Sequence, residues 1–298
     1  MSLTRAMAAV AANLLFNNDA VFRAAGVVNR RFRFLNRVFL AYPVRRPIPV
    51  RNSAFARLVE RYRWSPAIIG IFRQGRAWGL AFSVTGAEAE LIDVKNSRSL
   101  EALLARIEGI GKLLHADRCA LAGVLPSVLA SRGIPHGTTE AETAAACVVH
   151  AIRKVQMLDN LAGCPIVILG SRGFVGSRVV ERLAGDLVYP VDRNRQGPVE
   201  LPLDVRGKAA LLVNLTWADV LEGWVEQMWP GLVVLNEVYP PPSTRCCHLI
   251  RVKGVKLYHL AGVAGTAIPP FPGAYAGGIP CCAADSAGDP EILLARLA

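Results

Sequence analysis

The chain has 298 residues, of which 52% are hydrophobic and 19% are charged. This length accommodates two domains of about 100 to 200 residues, each able to bury a core. The composition excludes a disordered tail, and no run of about 18 apolar residues is present to span a membrane. Seven cysteines, including two adjacent pairs, match no zinc-site spacing, so we expect no metal and reduced thiols in the cytoplasm.

Residues 1–63 carry most of the positive charge. They contain twelve arginines, no lysine and only Asp19 and Glu60 as acidic residues, so they hold +10 of the net charge of +11. Phenylalanines are mixed with the arginines up to Phe39, which predicts one or two amphipathic helices followed by a proline-rich linker. We therefore predict a basic helical arm over residues 1–63 that docks on an acidic carrier protein or on the anionic inner face of a membrane.

Residues 64–155 are predicted to form a smaller α/β domain that holds substrate and catalytic groups. Two apolar runs flank the turn residues 73–76, which is the spacing of a hairpin. Apolar residues at helical period, a short buried strand and a helix of about five turns follow. The predicted ranges are 67–72 and 77–84 for the hairpin, 119–125 for the short strand, and 100–114 and 140–158 for the helices.

From residue 165 the pattern changes to alternating strands and helices, and we predict a Rossmann domain over residues 156–298. Residues 165–169 form a continuous apolar run of the kind that is buried on both faces of a parallel sheet. A helix is predicted at 177–183, and further strands are predicted at 187–191, 209–214, 232–236 and 256–260. This alternation predicts a doubly wound sheet, so the fold class is α/β.

A glycine loop joins the first strand of this domain to its helix. Three glycines have the spacing G-x-x-G-x-x-G, which is looser than the dinucleotide-binding fingerprint G-x-G-x-x-G. Glycines let the backbone turn sharply and approach a pyrophosphate, while the N-terminus of the helix offers N–H groups to that anion. The alternative is a tight turn without a ligand. The predicted cofactor contacts in this loop are Gly170, Ser171, Arg172, Gly173, Phe174, Val175 and Gly176.

Residues after the second strand bear on the choice of cofactor. Asp192 favours NAD, because a carboxylate there accepts the ribose hydroxyls, whereas Arg193 and Arg195 favour the additional phosphate of NADP. With Arg172 included, the balance favours NADP, and NAD stays the alternative. Loops at carboxyl strand ends collect ligand contacts in α/β sheets, so further cofactor contacts are predicted at Asn214, Thr216 and Tyr239.

Five stretches of the chain carry a resemblance to a known family. They are ALAGV at 120–124, GTTEAETA at 137–144, IVILGSRGFVG at 166–176, VLNEVYP at 234–240 and LYHLAGV at 257–263. In this order they resemble the cyanobacterial long-chain acyl-acyl-carrier-protein reductases, within the amino-acid-dehydrogenase-like group of Rossmann proteins. The resemblance implies a catalytic N-terminal domain and the transfer of a hydride from NADPH to a carbonyl-level substrate.

The resemblance also implies an acyl-enzyme cysteine shortly after residue 263, where this chain has Gly-Thr-Ala-Ile at 265–268. Other groups must therefore be considered. Lys95 lies in the domain where related dehydrogenases place a catalytic lysine that polarises or protonates the substrate oxygen. His136 precedes a loop that the family directs to the cleft, and His259 ends the fifth strand, where α/β sheets collect ligands. Surface or structural roles are the alternatives for all three residues.

Two functions are consistent with these patterns. The first is an NAD(P)-dependent oxidoreductase that acts on a small or acyl carbonyl substrate, free or bound to a carrier protein. The second is a non-catalytic NAD(P)-binding protein that associates with a membrane or partner through its arginine-rich N-terminus, which the missing thiol favours. Nucleic-acid binding is disfavoured because the basic segment matches no recognised module. Homo-oligomer formation stays open.

Overall fold

The computed structural model describes residues 13–45, 60–136, 140–192, 200–217, 219–271, 275, 277–285 and 289–298. By its internal contacts the chain divides into two compact units. Unit 1 comprises Met1–Glu140 and Gly265–Phe271, and unit 2 comprises Ala141–Ala264 and Pro272–Ala298. Both units combine helices with a sheet that contains parallel strands, so the predicted α/β class is confirmed.

The secondary structure follows in chain order. The strands are β1 (Leu35–Ala41), β2 (Ala67–Gln74), β3 (Ala77–Ser83), β4 (Arg118–Leu121), β5 (Ile166–Leu169), β6 (Val188–Val191), β7 (Ala210–Asn214), β8 (Leu232–Asn236), β9 (Lys256–Ala264), β10 (Thr266–Ile268), β11 (Gly278–Ile279) and β12 (Ile292–Arg296). The helices are α1 (Asp19–Phe32), α2 (Glu88–Ile92), α3 (Ser97–Leu114), α4 (Leu125–Ser131), α5 (Glu140–Leu158), α6 (Gly176–Arg182), α7 (Val220–Trp224) and α8 (Thr244–Val252).

The sheet of unit 1 has the strand order β10-β2-β3-β1-β4. β1 runs parallel to β3 and β4, while β2 and β3 form the predicted antiparallel hairpin. The core of this unit joins Phe22 of α1 and Ile107 of α3 to Leu40 of β1 and Phe82 of β3. The apolar stripe predicted for residues 100–114 is therefore the face that α3 buries.

The N-terminal region differs from its prediction. α1 ends at Phe32, because Arg33 adopts a left-handed conformation with φ of 46° and its N–H caps the carbonyl of Asn29. A helix is thus confirmed over Asp19–Phe32, whereas residues 35–41 form β1, so the helix predicted to reach Phe39 is wrong from residue 35 onward. The described part of residues 1–63 therefore includes a central strand instead of a separate arm. β1 is buried along most of its length, and such an apolar run resembles a buried helix in sequence.

The division of the chain into units also differs from the prediction, which placed one domain boundary after residue 155. After β9 the chain returns to unit 1, where β10 pairs with β2. Phe271 follows β10, and its ring lies 5.9 Å from that of Phe39 and 6.0 Å from that of Phe72, measured between centroids. These aromatic contacts fix the returning segment to the sheet of unit 1.

The sheet of unit 2 has the strand order β11-β9-β8-β7-β5-β6, with β12 also paired to β9. The five predicted strands, β5 to β9, are all present and parallel, and β11 and β12 are antiparallel to β9. β5, β7 and β8 are buried at every position, as expected for central strands of a parallel sheet. The strand order reverses between β5 and β7, and such a switch point is where α/β sheets bind ligands.

Candidate dinucleotide site in unit 2

The glycine loop connects β5 to α6 at the switch point. Gly170 has a φ of +84°, a conformation that favours glycine, and its N–H donates to the carbonyl of Val191 at the end of β6 at 2.9 Å. The N–H of Ser171 also donates to Val191, at 3.4 Å, and the N–H of Gly173 donates to the carbonyl of Gly170 at 2.9 Å. The loop is therefore a closed turn held against β6.

The three glycines have different surroundings, and each meets one requirement of a dinucleotide loop. A Cβ at Gly170 would lie 2.7 Å from Cγ2 of Thr216, so this glycine lets the loops after β5 and β7 approach each other. A Cβ at Gly176 would overlap the carbonyl oxygen of Gly170, so this glycine lets α6 begin directly against the turn. Among the described residues, a Cβ at Gly173 would contact only that oxygen, at 3.1 Å, and Gly173 is exposed, so the main chain there is approachable from outside.

Asp192 connects the end of β6 to the glycine loop. Its Oδ2 accepts the N–H of Arg172 at 2.6 Å, and Arg172 is itself exposed. The predicted ribose carboxylate therefore lies beside the predicted phosphate loop. Arg193 and Arg195 lie outside the described residues.

Arginines anchor α6 and the loop residue Phe174. Arg178 donates to the carbonyl of Phe174 at 2.6 Å, and its guanidinium carbon lies 4.6 Å from the centre of the Phe174 ring. Arg178 and Arg182 both pair with Glu142 of α5, at 2.6 and 2.8 Å. The hydrogen bonds from Arg182 and then Arg178 lower the pKa of Glu142. Phe174 and Val175 are half-buried, so these two predicted contacts support the shape of the loop.

A buried row of polar side chains crosses three neighbouring strands, at the carboxyl ends of β7 and β8 and in the middle of β9. Asn214 ends β7 and Asn236 ends β8, and the register pairs Asn214 with Asn236 and Asn236 with His259 of β9. All three residues are at most 2% exposed. Nδ2 of Asn214 donates to Oδ1 of Asn236 at 2.8 Å, and Nδ2 of Asn236 lies 3.1 Å from Nδ1 of His259. Asn214 and His259 were predicted as site residues because of their places in predicted strands. The strand register adds Asn236, which lies between them.

Asn214 also shapes the loop after β7. Its Oδ1 accepts the N–H of Thr216 at 3.1 Å and the Thr216 hydroxyl at 2.6 Å, while its Nδ2 donates to the carbonyl of Trp217 at 3.1 Å. Its amide is therefore bonded inside the protein and orients this loop. Thr216 is half-buried, with its methyl carbon on the side of Gly170.

His259 leaves one ring nitrogen without a partner. Its Nδ1 lies 3.1 Å from both the side-chain nitrogen and the backbone oxygen of Asn236. Its Nε2 is buried and has no hydrogen-bond partner among the residues that the structure describes. Burial lowers the pKa of the imidazole, although the backbone of Asn236 opposes this shift, so the ring is mainly neutral at pH 7. A neutral histidine with an unpaired buried nitrogen can exchange a hydrogen bond with a ligand.

A titratable cluster that sequence reasoning missed follows β8. Glu237 comes directly after the buried row, and burial raises its pKa to about 7. Tyr239 stacks on Tyr275, with ring centroids 5.1 Å apart and planes inclined by 21°. Burial, and to a smaller extent the nearby thiols and Glu237, raise the pKa of Tyr275 well above its usual value. A carboxylate directly after the predicted strand Leu-Val-Val-Leu-Asn was the available signal.

Cys281 belongs to the same cluster. A hydrogen bond with Cys147 of α5, and then burial, raise the pKa of the Cys281 thiol well above its usual value. Cys281 is therefore a neutral thiol at pH 7 and not an activated thiolate. The segment in which the family resemblance places a cysteine, Thr266–Ile268, forms β10 of unit 1.

Lys95 and His136 belong to unit 1, whereas His259 belongs to unit 2. Lys95 is exposed in a short 3-10 turn, where its N–H donates to Oδ1 of Asp93 at 3.0 Å. His136 is half-buried. The structure thus brings Asp192, Thr216 and the glycine loop together within unit 2, and catalytic roles for Lys95 and His136 stay predictions.

No family model and no curated protein matches the chain. Among solved structures, the NAD-dependent malic enzyme of Thermotoga maritima is 14% identical, and the match covers 83% of this chain and 73% of that one with a TM-score of 0.39. The NADPH-dependent glyoxylate/hydroxypyruvate reductase of Sinorhizobium meliloti, solved with citrate, is 15% identical over 74% of this chain and 78% of that one, with a TM-score of 0.27. These similarities are distant.

Proposed function

We propose that unit 2 binds a nicotinamide dinucleotide at the carboxyl end of its parallel sheet and that the protein is an NAD(P)-dependent oxidoreductase. The observation that carries this proposal is the glycine loop at the switch point between β5 and β7, where Gly173 exposes the main chain on its outer side. A diphosphate requires a close approach to the main chain at this place in a parallel sheet, which a glycine with an open outer side allows.

The residues of unit 2 would hold different parts of the cofactor. The glycine loop suits the pyrophosphate, and Asp192 suits the adenosine ribose because it lies beside that loop. Arg172 is exposed next to Asp192 and would pair with the additional phosphate of NADP, which is the proposed cofactor. Asp192 instead favours NAD, which is the alternative cofactor. The ratio of the affinities for NADPH and NADH therefore reports whether Arg172 or Asp192 determines the choice of cofactor.

When bound, a nicotinamide exchanges a hydride with a substrate carbon. The chain must then move a proton to or from the substrate oxygen. Glu237 is suited to this transfer, because a pKa of about 7 allows it to gain or lose a proton near neutral pH. His259 is suited to orient the substrate through its unpaired Nε2. The substrate class is a small or acyl carbonyl compound, free or attached to a carrier protein.

A second function, nucleotide binding without turnover, is favoured by the thiols. Residues 265–268 contain no cysteine, and Cys281 is held as a neutral thiol, so neither position supports an acyl-enzyme. This function predicts the same nucleotide affinity and no reaction.

Titration of the full chain with NADH and with NADPH, followed by nicotinamide fluorescence, tests the binding site. Nicotinamide absorbance with aldehydes, keto acids and acyl thioesters then tests turnover. Binding with turnover supports the oxidoreductase, and binding without turnover of any of the three substrate classes supports the second function. No association with either nucleotide at millimolar concentration overturns both.

A further inference from the structure

α1 of unit 1 has an apolar face on each side. Its inner face packs into the unit through Phe22, Gly26 and Asn29, which are buried. Its outer face also carries large apolar side chains, since Val27 is 69% exposed and Phe32 is 72% exposed. The packing of unit 1 accounts for the inner face only. Apolar side chains on the water-facing side of a helix indicate a second contact.

Helical geometry places these side chains on one surface. At 100° per residue, the half of α1 opposite the buried face contains Ala20, Val21, Arg23, Ala24, Val27, Val28 and Arg31, and the exposed Phe32 lies at its margin. Arg30 lies at the margin of this half, and the exposed residues Arg33 and Phe34 follow the helix. We call the set the α1 outer surface; its members are Arg23, Ala24, Val27, Val28, Arg30, Arg31, Phe32, Arg33 and Phe34.

The charge of this surface has one sign. Its four arginines are exposed, and the only acidic residue of α1 is Asp19 in the first turn. Asp19 is already paired with Arg106 of α3 at 2.6 Å. Arg30 contacts Nε2 of His115, which is not an anion. The α1 outer surface therefore combines exposed apolar groups with cations that have no acidic counterpart on the same helix.

We propose that the α1 outer surface docks unit 1 on the surface of an anionic phospholipid bilayer. Arginines interleaved with phenylalanine and valine match an interfacial helix, in which apolar side chains enter the acyl boundary and guanidinium groups remain at the phosphates. Leu14, Leu15 and Phe16, which precede the helix in the chain, are also exposed. No helix in the described part of the chain is long and apolar enough to cross a membrane, so the contact is peripheral.

A bilayer is favoured over an acidic protein by the arrangement of the apolar groups. Val27 and Phe32 project between the arginines from a convex helix, and a fluid acyl layer accepts them without a shaped pocket. An acidic carrier protein would form ion pairs with the arginines but would leave the side chains of Val27 and Phe32 in water. This inference concerns unit 1 and does not depend on the nucleotide site of unit 2.

Co-sedimentation of the full chain with vesicles tests the proposal. Vesicles that contain phosphatidylglycerol should bind the chain, and vesicles of phosphatidylcholine alone should bind it much more weakly. Arg31→Glu should weaken binding to the anionic vesicles by about fivefold or more, because each arginine near such a surface strengthens binding on the order of fivefold. High salt should weaken binding in the same direction.

Matched variants distinguish the α1 outer surface from exposed valines and arginines elsewhere on the chain. Val27→Ser should weaken vesicle binding, while Val252→Ser should not, although both valines lie on helices and are 69% and 70% exposed. Arg31→Glu should act more strongly than Arg76→Glu, which makes the same charge change in the exposed turn after β2. Equal thermal unfolding of all variants checks that each one is folded.

Several results would overturn the proposal. These are equal binding to both vesicle types, no binding to anionic vesicles, or equal losses for Val27→Ser and Val252→Ser. If Val27→Ser and Phe32→Ser instead shift the mass of the free chain in sedimentation, the surface is a contact between two copies and the bilayer is rejected. If an acidic carrier protein binds with Arg31 dependence and vesicles do not bind, the bilayer is likewise rejected.

Discussion

The two units differ at the carboxyl ends of their parallel strands. In unit 1, Tyr42 follows β1, and its hydroxyl accepts the N–H of Val124 at 2.8 Å and donates to Glu88 at 3.4 Å. The hydroxyl of Tyr42 is thus paired with groups of the same unit. In unit 2, the corresponding end has an approachable main chain at Gly173 and a buried nitrogen of His259 without a described partner.

The same arrangement of parallel strands therefore has two outcomes. In unit 1 the hydroxyl of Tyr42 is paired within the protein, whereas in unit 2 the glycine loop and His259 retain groups that a ligand can satisfy. A buried polar atom without a partner costs folding free energy, so a ligand that pairs with it gains binding free energy. We therefore expect substitutions of buried polar residues in unit 1 to reduce stability without changing nucleotide affinity. We expect substitutions at the site in unit 2 to reduce ligand binding with a smaller effect on stability.

The largest expected effect on stability follows from Asn29→Leu in unit 1. Nδ2 of Asn29 donates to the carbonyls of Leu35 and Leu114 at 2.7 and 2.9 Å, and its Oδ1 accepts the N–H of Leu35 at 2.7 Å. Leucine leaves these buried backbone groups unpaired, so the free energy of unfolding should fall by about 3 kcal/mol or more. Urea unfolding measures this loss, and the affinity for NADPH should be unchanged. A loss below about 1 kcal/mol would contradict this structural role.

A smaller effect, dependent on pH, is expected from Glu237 in unit 2. Its pKa rises from 4.5 in the unfolded chain to about 7 in the folded protein, so the folded state binds the proton more tightly. The stability from this proton is fully present below pH 4.5 and is lost as the pH rises through 7, by about 1 to 3 kcal/mol.

Glu237→Gln tests this linkage because the amide stays neutral. Urea unfolding from pH 4.5 to above 7 should show a steeper loss of stability in the unsubstituted protein than in the variant. Glu226→Gln makes the same chemical change on a side chain that is 85% exposed, and it serves as the control. Parallel pH profiles for the unsubstituted protein and Glu237→Gln would show that Glu237 is not protonated by burial.

The smallest expected effect on stability is that of His259→Phe. Nε2 of His259 has no described partner, so the variant loses only the contacts of Nδ1 with Asn236 and should remain within about 1 kcal/mol of the unsubstituted protein. In the proposed oxidoreductase, turnover should fall by at least about tenfold, because substrate orientation is lost. His248→Phe changes an exposed histidine of α8 and should leave both quantities unchanged. A loss of stability with normal turnover would assign His259 to the core.

Much of unit 2 could be predicted from the sequence because its signals are local. The apolar run at 165–169 and the glycine spacing that follows it predicted a strand, a turn and a helix in the observed order. The predicted helix at 140–158 and the predicted strand at 232–236 have the same bounds in the structure. Asp192 was predicted to follow the second strand, and at that position the structure places it in contact with the glycine loop.

The features that were missed depend on contacts between distant residues. β1 is a central strand, so its apolar run lacks the alternation that separates a strand from a helix. β10 belongs to unit 1 only because it pairs with β2, about 190 residues earlier in the chain. The stack of Tyr239 on Tyr275 and the bond between Cys147 and Cys281 likewise required the folded structure.

The central claim, that the main chain at Gly173 receives a diphosphate, is tested most directly by the affinity of Gly173→Asp for NADPH. Gly185→Asp is the matched control, since it adds the same charge at an exposed glycine where a Cβ would have no other atom within 4 Å. Calorimetric titration should show a loss of at least about tenfold for Gly173→Asp, or about 1.4 kcal/mol, and none for Gly185→Asp. Equal affinity of Gly173→Asp and the unsubstituted protein would contradict the claim.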